Sequence, residues 1–251
     1  MKKGQVTLFV VLGIIILAVV SFLVYNKEAV LSNLQQVGLL KGVSLPPELE
    51  NLKGNVQRCV EDTFFSGLIV TGLNGGNIVP SENSVDVEGS SITYWNNYGR
   101  FQGPTLNNIG SELEDYMGAI LPVCINLDQY KKFKFNDAVP QATVNLGKDK
   151  VNVVVNYNLV VDYNNASYSI SKPYTNEVSV RFGSIYNVAK DVINYDIENP
   201  GKIDVTSMLS TGMNINVLTI DNQTIVYSIT DANSKLDGAA YTFNVASRFK
   251  K

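Results

Sequence analysis

Few residues in this chain have the type and spacing needed for covalent chemistry. Histidine is absent from all 251 residues, which removes Ser-His-Asp and Cys-His nucleophile pairs, histidine-bearing zinc sites and the usual general base near neutral pH. Two cysteines, Cys59 and Cys124, are present, and they leave two states open: one disulfide or two buried thiols. A metal centre built on two cysteines without histidine is disfavoured. Glu112, Glu114 and Asp115 form an acidic cluster. Side chains at those offsets spread around a helix rather than converging on a cation, so a solvated face accounts for them. Gly75-Gly76, between Asn74 and Asn77, lacks the strand before, the helix after and the lysine that a phosphate-cradling loop requires, and reads as a tight turn. The sequence therefore points to no catalysed reaction and no cofactor.

Recognition chemistry is better represented. Tyr94, Trp95, Tyr98 and Phe101 offer either a flat platform for a glycan or protein partner, or loop aromatics packed on a core. Asn165-Ala166-Ser167 and Asn222-Gln223-Thr224 are glycosylation sequons placed at expected turns; chance occurrence in an asparagine-rich chain is the alternative. A net charge of −3, with no basic run beyond pairs such as Lys131-Lys132, excludes a nucleic-acid surface.

The clearest signal concerns placement. Val6 to Tyr25 are twenty residues with no charge and no proline. As a helix they extend roughly 30 Å, the thickness of a hydrocarbon core, and they show no polar stripe of the kind a buried soluble helix carries. Lys2 and Lys3 precede the run, whereas Lys27 and Glu28 cancel after it. The positive-inside rule then keeps the leading end cytoplasmic and the remaining mass outside the cell membrane. A secretory signal peptide would have a shorter apolar run and a small-x-small cleavage site, which is not evident here. An extracytoplasmic location favours the disulfide over free thiols.

Lys2-Lys3-Gly4-Gln5, followed directly by the apolar run, resembles the class III signal peptide of archaeal type IV pilins and archaellins. The resemblance covers about the first 25 residues. It implies cleavage between Gly4 and Gln5 by a prepilin-type peptidase, with the helix retained first as an anchor and then as the packed core of a self-assembled filament. Many members carry glutamate at the fifth mature position, where this chain has Phe9, and that departure counts against filament assembly.

Beyond the anchor, Val30, Leu31, Leu34 and Val37 continue at helical spacing. The divisions expected are a signal and transmembrane helix at 1–25, a helical stalk at 26–45, a helical subdomain at 46–130 and a β-rich subdomain at 131–251. In the third, a helix starts at Pro47 and ends before Gly67 or Gly72, and another runs from Thr105 to Ile120. In the fourth, alternation predicts strands at 142–146, 151–161, 168–171, 178–182, 214–220, 224–230 and 241–246, interrupted by a helix capped at Ser184 and stopped by Pro200. The fold class expected is α+β: a long N-terminal transmembrane helix, a helical segment, then a mostly antiparallel sheet with one late helix. The expected function is a single-pass anchored surface protein, a pilin-like structural subunit in one reading. The other readings are a non-polymerising adhesion or envelope-binding protein and an ectoenzyme using paired carboxylates. The lipid bilayer is the expected partner, and the surface partner is not identified.

Overall fold

The computed structural model describes residues 45–250. Helix α1 (Pro47–Leu73) begins with proline in its first turn and Glu48 and Glu50 beside its positive end. Strands β1 (Ser84–Val87) and β2 (Ser90–Asn97) follow as a hairpin. Their connection, Glu88-Gly89, has positive φ at both residues, the geometry whose twist matches paired strands. Helix α2 (Leu106–Ile125) is capped by the Thr105 hydroxyl, which accepts from the Asn108 amide. A single 3-10 turn (Leu127–Gln129) leads to β3 (Lys134–Phe135), β4 (Gln141–Leu146), β5 (Val151–Asn156), β6 (Leu159–Tyr163), β7 (Ala166–Ile170) and β8 (Tyr174–Val178). Then come α3 (Phe182–Glu198), the short α4 (Val205–Ser210), β9 (Asn214–Thr219), β10 (Thr224–Leu236) and β11 (Ala239–Arg248).

The strands form three sheets: β1-β2-β11-β10-β9, β3-β6-β7 and β4-β5-β8. All pairings are antiparallel except β2 with β11, which is parallel. One hydrophobic cluster joins α1, α2 and α3 to all three sheets, with Phe64, Trp95, Leu113, Val153, Phe182, Tyr227 and Phe243 among its buried members. Cys59 in α1 and Cys124 in α2 form a disulfide, with Cα atoms 5.8 Å apart.

The class is α+β with mostly antiparallel strands, but the expected plan needs correction. No helix among the described residues is long and apolar enough to cross a membrane. The longest, α1, carries Glu48, Glu50, Lys53, Arg58, Glu61 and Asp62, charges that a bilayer core does not accommodate. The transmembrane assignment at Val6–Tyr25, the stalk and the Gly4–Gln5 junction lie outside the described residues. Helices and sheet are also not segregated in sequence. β1 and β2 lie between α1 and α2, and β2 sits inside the five-stranded sheet. Among the described residues there are two late helices, not one, and three sheets, not one.

Boundaries moved for local reasons. α1 continues through Gly67 and Gly72 because each glycine is a point of close packing. A Cβ on Gly67 would meet Leu113 Cδ1, and one on Gly72 the carbonyl oxygen of Thr242. The single strand expected over 151–161 breaks at Tyr157-Asn158, so that β5 and β6 enter different sheets. The strand expected at 178–182 is absent there: β8 ends at Val178 and α3 begins at Phe182. There the Gly183 amide is satisfied by the Gly147 carbonyl at 2.9 Å, and Ser184 donates to the Lys148 carbonyl instead of capping the helix.

Candidate functional site

Alternation along β10 and β11 sends Tyr227, Ile229, Phe243 and Val245 into the main core, and Val226 and Ala246 to the opposite face. On that opposite face Ile92 and Tyr94 join Val226 and Ala246 in a second, small apolar cluster, with Val85 and Val87 packed against it. Beside the cluster lies an open cleft of about 570 Å³ lined by Val87, Ser90, Ile92, Leu218, Val226 and Asn244, among others. Its floor mixes aliphatic side chains with hydroxyl and amide groups. The Ser228 hydroxyl donates to Asn244 Oδ1, and Asn244 Nδ2 donates to the Leu73 carbonyl at the end of α1.

At one end of this face β2 and β11 run parallel, and Arg248 is stacked between two rings. Its guanidinium carbon is 4.1 Å from the Tyr94 ring centroid and 4.8 Å from that of Tyr98. Arg248 donates to Asn97 Oδ1 through Nε at 3.2 Å and Nη2 at 3.0 Å, and to Asn83 Oδ1 at 3.4 Å. Asn83 and Asn97 in turn donate to Gln102 Oε1. A positively charged, aromatic-flanked corner held by neutral amides is suited to hydrogen bonding with polar ligands.

The four aromatics named from sequence have different placements. Trp95 is core: its indole N–H donates to the Gly75 carbonyl at 2.8 Å, and its ring packs with Phe101, Tyr186 and Phe243. Tyr94 is buried in the small cluster on the cleft face, whereas Tyr98 and Phe101 are exposed. Gly75-Gly76 forms a turn with positive φ at both residues, and it sits where the end of α1 docks on β2 through the Thr93 amide and the Asn74 carbonyl. Glu112 and Glu114 hold the helix to its neighbours, accepting from the Val79 amide at 3.0 Å and the Val144 amide at 2.8 Å.

Both sequons lie at hairpin tips. Asn165 is exposed, with φ of 63°, in the β6–β7 turn. Asn222 is exposed between β9 and β10, but Thr224 of the same sequon is buried against Tyr94 Oη at 3.4 Å.

Two buried carboxylates were not singled out from sequence. Asp231 is fully buried at the irregularity in β10 and binds Arg181 through two bonds of 2.8 and 2.6 Å. The Arg181 guanidinium holds its pKa below the ordinary range against the cost of burial, helped by the Ser234 hydroxyl and the Asn233 amide. Asp196, on α3, accepts from the Tyr227 hydroxyl at 2.9 Å through Oδ1, and Oδ2 is buried without a hydrogen bond of good geometry among the described residues. Burial pushes its pKa up to about 6, with the Ser247 and Tyr227 hydroxyls pulling the other way. Burial and the Asp196 charge together push Tyr227 up.

No protein-family model, curated protein or solved structure matches the chain.

Proposed function

We propose that the chain is a membrane-anchored extracytoplasmic surface protein. The apolar residues 6–25 sit in the bilayer, and the α+β body is displayed outside as a pilin-like structural subunit. The observation that carries this reading is the uncharged twenty-residue run with Lys2 and Lys3 ahead of it. The Cys59–Cys124 disulfide supports it, since such bonds persist outside the reducing cytosol. The Gly4–Gln5 junction supports processing by a prepilin-type peptidase.

The alternative is an anchored adhesion or envelope-binding protein that does not polymerise. Phe9, standing where the resemblance calls for glutamate, favours it, as does the cleft beside Ile92 and Val226. Carbonate extraction of membranes and protease treatment of intact cells test the shared premise. The chain stays with the membrane and its body is digested from outside. Release by carbonate, or protection of the body in intact cells, overturns it. A mature N-terminus at Gln5 together with surface filaments selects the pilin-like reading, and an anchored body without filaments selects the other.

A further inference from the structure

The two edges of the five-stranded sheet are protected very differently. Edge strand β1 lies in a stretch with three carboxylates, Glu82, Asp86 and Glu88, and charge on an edge opposes pairing with another chain. The other edge, β9, carries no charge within the strand, and the nearest carboxylate is Asp221 in the turn that follows it. Residues 205–220 contain no charged residue and no proline, and no described strand pairs with the outer side of β9. Six of the fifteen large apolar side chains exposed among the described residues fall within 203–220: Ile203, Val205, Leu209, Val217, Leu218 and Ile220.

The hydrogen-bond pattern says which backbone groups the open edge offers. The Ile220 amide donates to the Thr224 carbonyl, and the register pairs Leu218 with Val226 and Asn216 with Ser228. In an antiparallel ladder, alternate residues bond inward. Ile220, Leu218 and Asn216 therefore face β10, and Thr219, Val217 and Ile215 turn their N–H and C=O groups outward. Those six outward groups suit a second antiparallel strand.

We propose that β9 is a self-association edge, on which β9 of a second copy of this chain adds antiparallel about a two-fold axis through Val217. That register sets Val217 opposite Val217 and Ile215 opposite Thr219 on one face, with Asn216 opposite Leu218 on the other. β-branched residues face one another and no like charges meet. Asp86 within β1, with Glu82 and Glu88 on either side of it, disfavours the head-to-tail β1–β9 alternative, so the contact is isologous and closes at two copies. Val205 and Leu209 are exposed on α4, the short helix that precedes and contacts β9. The proposal rests on the sheet edge alone and stands or falls independently of membrane anchoring.

The 251-residue chain carrying Val217→Cys is oxidised in the intact cells that make it and run without reductant, with Val139→Cys, also exposed, as control. A disulfide-linked dimer forms at Val217→Cys and not at Val139→Cys. Equal cross-linking at the two positions, no cross-link at Val217, or trapping of a different protein overturns the proposal. A second test uses two tags on Val217→Lys and Val217→Glu chains in detergent, with the intact Cys59–Cys124 bond reporting folding. Lys–Lys and Glu–Glu pairs co-purify about tenfold less than wild type, and Lys–Glu pairs recover it. Like-charged pairs that co-purify as well as wild type also overturn it.

Discussion

Asp196 and Asp231 are both buried, yet their effects on stability run in opposite directions with pH. Asp231 is held ionised by Arg181, so its folded pKa lies below the unfolded value. Its contribution is complete above the ordinary carboxylate range and is lost as pH falls through the lowered pKa. Asp196 is the reverse. Its pKa rises from 3.8 to about 6 on folding, so the folded state binds the extra proton, and stability declines as pH rises through that window. Roughly two units correspond to about 3 kcal/mol, a penalty in full force only above pH 6. Asp196→Asn keeps an acceptor for Tyr227 and removes the charge. Denaturant titrations should show the variant more stable than wild type by about 1–3 kcal/mol at pH 8, and by only about a third as much at pH 4.5. An equal gain at both pH values would mean that ionisation of Asp196 is not the cause. Neither carboxylate stood out in the sequence. Asp231 and Arg181 are fifty residues apart, and nothing local in either neighbourhood announces the pair.

At the scale of elements, legibility followed how much of the signal is local. α2 could be read from Thr105 and the Leu106, Ile109, Leu113, Met117 spacing, and the structure adds only its last turn to Ile125. The β9–β10 hairpin could be read from alternation on either side of Asp221-Asn222-Gln223. β2 could not, because Ile92 through Asn96 are buried on both faces and show no alternation. That β9 is an edge was also invisible, since edge status depends on strand order and not on composition. The cleft and the Arg248 corner shared this obscurity: Arg248 bonds Asn97 across 151 positions. Glycines misled in α1, where sequence could not separate a helix breaker from a point of close approach. A paired test follows within that one helix. Gly54 has open space around its Cβ position, so Gly54→Ala should stabilise by about 0.5–1 kcal/mol. At Gly72 the new methyl group would meet backbone oxygen of Thr242, and Gly72→Ala should destabilise by about 1–3 kcal/mol. Thermal melts of the two variants check both signs.

For the whole molecule, the covalent tie between α1 and α2 is the largest single constraint. It closes a loop with a sequence separation of 65, worth about 4 kcal/mol on the chain-entropy model. A reducing agent, or the Cys59→Ala/Cys124→Ala pair, should lower unfolding stability by about 2–5 kcal/mol, read as a drop in the denaturant midpoint. An unchanged midpoint would show the two helices to be held by packing alone. The closed loop encloses β1 and β2, and through β2 it reaches β11 in the middle of the main sheet.

That closure also sets how the molecule behaves as a tether. When the chain is pulled between its two ends, tension passes from Cys59 to Cys124 through sulfur and bypasses everything in between. The enclosed stretch stays slack and adds no length while the bond holds. Breaking it releases about 220 Å of hidden contour, so thiol chemistry would govern how far the protein can extend under load.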